Sequence, residues 1–224
     1  MGFAHRGLHG PGVPENSLRA FRAAIAAGAG IECDLRLAAD GVVMVFHDRD
    51  ALRLCGSPSI ICETSASGLS ALRLLDSGER IPALRDLLAL AAGRVPLLLE
   101  LKDDGNVPRL CAAVIDLLDG YRGPVGVMGF SPEVAQWLRF HAPKIRRGLV
   151  MSGRDSGFRR WFNIRSADPQ FLAVKSTELG KRWTRAARRR MPLYSWTIAS
   201  SAQLETAEIH ADAPIWEGDG RPRS

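Results

Sequence analysis

At 224 residues, with 46% hydrophobic and 24% charged side chains, the chain is long enough for one substantial core and too ordinary in balance to be disordered or fibrous. No apolar run approaches the roughly 20 residues that cross a bilayer. The four cysteines (Cys33, Cys55, Cys62, Cys111) form neither a CxxC pair nor a zinc-like spacing, so a structural zinc site is excluded. The net charge of +6 is modest, with no nucleic-acid motif beside it.

Part of that charge gathers in Lys181, Arg182, Arg185, Arg188, Arg189 and Arg190. The cluster reads as a solvated helix face, and peripheral contact of 181–190 with anionic lipid headgroups is its sharper meaning. The first residues carry no basic segment followed by an apolar one, so a cytoplasmic protein with free thiols is expected. One domain over 1–224 is the simplest division.

Phe3-Ala4-His5 reads as a short strand, followed by a Gly/Pro-rich loop from Gly7 to Pro14. Asn16 is a plausible N-cap for a helix over 18–27, where Leu18, Phe21 and Ile25 recur at helical spacing. Gly28 and Gly30 lead into Ile31-Glu32-Cys33-Asp34-Leu35, a strand whose two carboxylates share one face. Asp40-Gly41 signals a two-residue hairpin turn, and its simple register sets Asp34 opposite His47. Residues 49–80 are rich in Ser, Gly and Pro and read as an insertion over one end of the fold.

Pro82 opens a helix to Ala92, and the apolar run 95–102 ends in Glu100-Leu101-Lys102, the pattern of a buried parallel strand. Helices over 108–119, 132–141, 156–163, 178–190 and 201–209 then alternate with strands over 125–130, 146–150, 171–175, 193–198 and 213–217. Leaving the hairpin arm aside, eight strands separated by helices indicate the α/β class and a (β/α)8 barrel of the TIM type. An open doubly wound sheet is the alternative, but no Gly-rich phosphate loop follows the first strand.

Chemistry collects at the C-terminal ends of such strands. His5 and Arg6 end the first, Glu32 and Asp34 lie on the second, Glu100 and Lys102 end the third, and His47 returns on the arm. Three carboxylates without cysteine or paired histidine favour a hard cation, Mg²⁺ or Ca²⁺. His5 and His47 suit a proton-donating and proton-accepting pair. Arg6 offers a planar fork for phosphate oxygens, and Lys102 adds a second positive charge. Trp196, on the seventh strand, fills the core or walls a substrate group. His9, His141 and His210 have no carboxylate constellation and receive no role. Together these residues describe a site for an anionic ester, and phosphate fits best.

With Ala4-His5-Arg6-Gly7, Pro14-Glu15-Asn16-Ser17, Glu32-Cys33-Asp34, Asp40-Gly41 running to His47-Asp48, Glu100-Leu101-Lys102 and Ser195-Trp196-Thr197, the sequence resembles the glycerophosphodiester phosphodiesterase family. The resemblance implies a somewhat distorted barrel with the family's small insertion after His47-Asp48. It also implies cleavage of small-molecule glycerophosphodiesters to glycerol 3-phosphate and an alcohol. His5 and His47 would be the acid/base pair, Glu32, Asp34 and Glu100 would hold Mg²⁺ or Ca²⁺, and Arg6 and Lys102 would engage the phosphate. Many members end the last strand in Thr-Asp-x-Pro, where this chain has Ile215-Trp216-Glu217-Gly218, and Glu217 is left without a role. A lysophospholipase D, with 49–80 and Trp196 forming an acyl trough, and a non-cleaving phosphodiester-binding barrel are the competing readings.

Overall fold

The alternation of short apolar runs with amphipathic helices closes into a barrel in the computed structural model, which describes residues 2–222. The unit expected over 1–224 thus extends to three residues, 1, 223 and 224, outside the described ones. Its strands are β1 (Phe3–Ala4), β2 (Gly30–Leu37), β3 (Val43–Val45), β4 (Leu97–Leu101), β5 (Val125–Gly129), β6 (Arg146–Met151), β7 (Phe171–Lys175), β8 (Leu193–Ile198) and β9 (Ala213–Trp216). All but β3 run parallel, each beside the next, and β1 closes the ring by pairing with both β2 and β9. The observed architecture is the (β/α)8 barrel, with β3 as an extra strand outside the ring.

The helices are α1 (Leu18–Ala26), α2 (Leu52–Cys55), α3 (Ala66–Ala71), α4 (Leu84–Ala91), α5 (Val107–Leu118), α6 (Pro132–His141), α7 (Gly157–Ala167), α8 (Arg182–Arg188) and α9 (Ser201–His210). Helix α8 is shorter than the expected 178–190. Ser176–Glu178 forms a separate 3₁₀ turn, and Gly180, with φ +73°, breaks the run between them.

β2 and β4 are buried along their whole lengths, which is why they read as near-continuous apolar runs. Ile31, Cys33 and Leu35 face the helices and pack in one cluster with Phe21, Leu84 and Leu87. The alternate residues face the barrel interior, where Glu32 neighbours Leu98 and Asp34 neighbours Glu100 in register. The interior cluster below the site is Leu98, Met128, Val150, Phe171, Ala173 and Ile215. Gly148 makes room there, because a Cβ at that position would lie 2.2 Å from the Phe171 ring. Aromatic rings fill the end opposite the site, with Tyr194 centred 5.0 Å from Phe171 and 5.7 Å from Phe3.

The hairpin differs from its sequence reading by one residue. Leu35 pairs with Val45 and Leu37 with Val43, so Asp34 falls opposite Phe46 rather than His47. The loop has three residues, closed by Ala38 N–H donating to the Val42 carbonyl (2.9 Å), with Gly41 at φ +85°. That is a type I turn followed by a left-handed residue, and Asp-Gly serves it as well as it serves a two-residue turn. Residues 49–80 form an insertion whose Leu54, Ile61, Leu69 and Leu74 pack with Met44 of β3 and Phe46 into a small separate core.

Candidate active site

Four neighbouring strands, β9, β1, β2 and β4, deliver ionisable side chains to the same end of the barrel. Glu32, Asp34 and Glu100 are buried there, and each offers an oxygen within 4.8 Å of the others. Three carboxylates so close repel one another, and burial adds a desolvation cost. Burial and the neighbouring Asp34 push the Glu32 carboxyl up to about 8. Burial likewise raises Glu100, against the pull of Lys102. For Asp34, burial opposes ionisation, but Lys102 and Arg6 outweigh it and hold the carboxyl well below the usual range. Lys102 Nζ lies 2.8 Å from Asp34 Oδ1 and also contacts Glu100. The all-oxygen donor set and its excess of negative charge fit a hard divalent cation.

Asn16 is not the helix cap. Ser17 caps α1, its hydroxyl accepting from Ala20 N–H, while Asn16 sits at φ +54° and donates from Nδ2 to Asp34 Oδ2 (2.9 Å). Asparagine tolerates that left-handed backbone, and the turn aims its amide into the barrel mouth. Arg6 is also left-handed (φ +54°), and its backbone N–H donates to Glu32 Oε2 (3.0 Å). Its guanidinium donates to Glu15 Oε1 (2.7 Å), while Nε lies 3.2 Å from Asp34 Oδ2 without hydrogen-bond geometry. A buried cationic N–H is thereby left unsatisfied at the mouth, a donor suited to an anionic oxygen.

Both histidines are held through Nδ1 by a carboxylate. His5 Nδ1 lies 2.7 Å from Glu217 Oε2, and His47 Nδ1 lies 2.7 Å from Asp48 Oδ1. A carboxylate only accepts, so Nδ1 carries the hydrogen in each ring and Nε2 is the nitrogen free for proton transfer. The two environments differ. Burial disfavours the His5 cation, but Glu217 and Glu32 overcome it and raise its pKa. Burial, Lys102 and Arg6 together lower that of His47, against Asp34. Asp48 is itself shared, accepting from Arg53 Nε at 2.6 Å. Arg53, on α2 of the insertion, also grips Glu15 (2.7 and 3.0 Å), so one chain of ion pairs runs from Asp34 through Arg6, Glu15, Arg53 and Asp48 to His47.

Trp196 reaches the mouth from β8. Its Nε1 donates to the Ala173 carbonyl (3.0 Å), and its ring meets Phe130 edge-on at 5.5 Å. Lys102 Nζ lies 5.9 Å from the Phe130 ring centre.

The structure thus brings together His5, Arg6, Glu32, Asp34, His47, Glu100, Lys102 and Trp196, all named from sequence. Sequence reasoning missed Glu217, Arg53 and the polar role of Asn16. It also passed over His9, whose Nε2 is 3.6 Å from the same Glu217 oxygen. The resemblance flagged Glu15 and Asn16 without roles, and nothing local marks Arg53. His141 lies on α6, stacked on Trp137, and His210 beside Gly180, both on elements outside the site.

The sequence model of the glycerophosphoryl diester phosphodiesterase family matches residues 5–211. The Bacillus subtilis (strain 168) protein YqiK is 35% identical over 109 residues, 45% of this chain and 44% of that protein. A glycerophosphodiester phosphodiesterase of Caldanaerobacter subterraneus subsp. tengcongensis is 35% identical over 97 residues, 39% of this chain and 38% of its own. The chain therefore aligns with under half the length of these relatives. The fold is similar to an Oleispira antarctica phosphodiesterase in complex with the product sn-glycerol-3-phosphate (TM-score 0.86, 23% identity, covering 96% of this chain and 91% of that one). It is likewise similar to a Thermotoga maritima glycerophosphodiester phosphodiesterase (TM-score 0.80, 23% identity, covering 96% and 92%).

Proposed function

Because the chain belongs to the glycerophosphoryl diester phosphodiesterase family, we propose that it hydrolyses glycerophosphodiesters to glycerol 3-phosphate and an alcohol. One observation carries this reading: three buried carboxylates lie at the barrel mouth with two histidines, each oriented by its own carboxylate. The glycerol 3-phosphate bound by the Oleispira antarctica phosphodiesterase supports a substrate of that size. Glu32, Asp34 and Glu100 would hold the divalent cation, Mg²⁺ or Ca²⁺, which when bound neutralises charge on the phosphate oxygens.

Lys102 and Arg6 supply fixed positive charge beside those oxygens. His47 Nε2 takes the proton from the attacking oxygen, the glycerol 2-hydroxyl or water. Its ring suits the neutral form because its carboxylate is shared with Arg53 and two further cations stand near. His5 gives its proton to the departing alkoxide as the phosphorus–oxygen bond breaks. Glu217, hydrogen-bonded to His5 and facing His9, stabilises the charged imidazole that this role needs. Attack by the 2-hydroxyl requires water to open the resulting cyclic phosphate, and direct attack by water completes hydrolysis in one step.

Trp196 and Phe130 form the apolar side of the mouth, where a glycerol carbon face would rest. Within the insertion, Leu54, Ile61, Leu69 and Leu74 pack inward while Leu52 and Leu75 stay exposed.

Glycerol 3-phosphate release from glycerophosphocholine and glycerophosphoethanolamine tests the reading, after EDTA treatment and again with Mg²⁺ or Ca²⁺ restored. Metal-restored release is the expected outcome. Release from lysophospholipid alone would move the assignment to a lysophospholipase D. Failure with all three substrates would leave a non-cleaving barrel.

A further inference from the structure

Three of the eight large apolar side chains exposed among the described residues fall within five consecutive positions of α7: Phe158 (76% exposed), Trp161 (60%) and Phe162 (56%). Their i, i+3, i+4 spacing puts them on one helical face. The other large helices turn such faces inward, yet α7 buries only Ala167. The charge around them is equally uneven. Residues 152–191 contain eleven lysines and arginines against three carboxylates, a surplus of eight, whereas the rest of the chain has 19 against 21.

Between α7 and α8 runs a groove of about 410 Å³, lined by Arg160, Trp161, Ile164, Arg165, Trp183 and Arg190. Arg160 lies 4.5 Å over the Trp183 ring, which holds its cation beside an apolar floor. Arg182 and Arg185 stand exposed on α8, and no carboxylate among the described residues pairs with either. Helix α7 follows β6, so its first turns, where the aromatic residues sit, lie at the end of the barrel that holds the active site.

We propose that the α7–α8 face docks on an anionic lipid surface. Phe158, Trp161 and Phe162 enter the headgroup layer, and the arginines around the groove meet lipid phosphates. Rings with arginine beside them match that boundary, which is apolar on one side and negatively charged on the other. No helix among the described residues is long and apolar enough to cross a membrane, so the contact is peripheral. The surface expected over 181–190 is thereby extended. Helix α8 supplies cations, but the apolar anchor belongs to α7. Docking here holds the barrel mouth near the lipid without using any residue of the proposed catalytic machinery.

Cosedimentation of the full chain with phosphatidylcholine vesicles, with and without phosphatidylglycerol, tests the proposal. Binding is expected only with phosphatidylglycerol present, weakening as salt rises. Phe158→Ser/Trp161→Ser/Phe162→Ser should lose vesicle binding while keeping its melting temperature, because all three side chains are exposed. Arg182→Glu/Arg185→Glu should weaken binding by more than roughly tenfold, since each cation near an anionic surface contributes about fivefold. Absence of binding by the unaltered chain, or full binding by the aromatic variant, would overturn the proposal. So would a dimer in light scattering that the aromatic variant dissolves, because the face would then belong to a second copy. Retention on single-stranded nucleic acid with none on vesicles would overturn it as well.

Discussion

The barrel wall has two halves with the same hydrogen-bond pattern and opposite contents. One half, β9, β1, β2 and β4, carries or immediately precedes Glu217, His5, Arg6, Glu32, Asp34, Glu100 and Lys102. The other half, β5 to β8, contains no carboxylate in any strand and offers Phe130 and Trp196 at the mouth. Register explains the crowding in the first half. Parallel neighbours put Asp34 beside Glu100, and closure of the ring brings the ends of β1 and β9 together. Ionisable groups can compensate one another only at such distances, whereas the second half is free to hold apolar wall on the inside and cationic surface on the outside.

If the halves divide as described, substitutions in the first should cost turnover and those in the second should cost stability or surface contact. The largest effect is expected from His47→Ala and His5→Ala, each lowering turnover by about 10²–10⁴-fold with the melting temperature kept. Normal activity in either would place the chemistry elsewhere. Arg53→Ala probes how far the insertion serves the first half. Releasing Glu15 and Asp48 misplaces Arg6 and His47, with an expected fall in kcat of up to about 100-fold. An unchanged kcat with only lower stability would reduce Arg53 to a surface tie.

Gly148→Ala tests the second half. Its Cβ would meet the Phe171 ring, and overpacking of this kind costs about 1–3 kcal/mol. At about 2–4 °C per kcal/mol the melting temperature should fall measurably, with turnover per folded molecule preserved. The smallest effect is expected from Glu217→Gln. His5 loses the partner that holds its pKa up, so the alkaline limb of the kcat/KM profile, where the acid deprotonates, should move to lower pH. A limb that stays in place would show that His5 is not the acid.

Much of this was legible in the chain. The i, i+2 spacing of Glu32 and Asp34 needs only an extended backbone to share a face, and helical spacing located most of the outer helices. Eight alternations with charged residues at strand ends already indicated a barrel and its mouth. The hairpin register was legible only to within one residue, because Asp-Gly suits more than one turn.

The sequence by itself determined the parallel barrel, the carboxylate face of β2 and the residue types gathered at the strand ends, because these follow from short periodicities that any extended or helical segment obeys. Only the tertiary structure decided which partner each of them has. Glu217 meets His5 across 212 positions of sequence, Asn16 leaves the helix cap for Asp34, and Arg53 reaches from the insertion to Glu15 and Asp48. Those contacts depend on ring closure and on loops folding over the mouth, and no local pattern encodes the distance between segments that meet only when the barrel shuts.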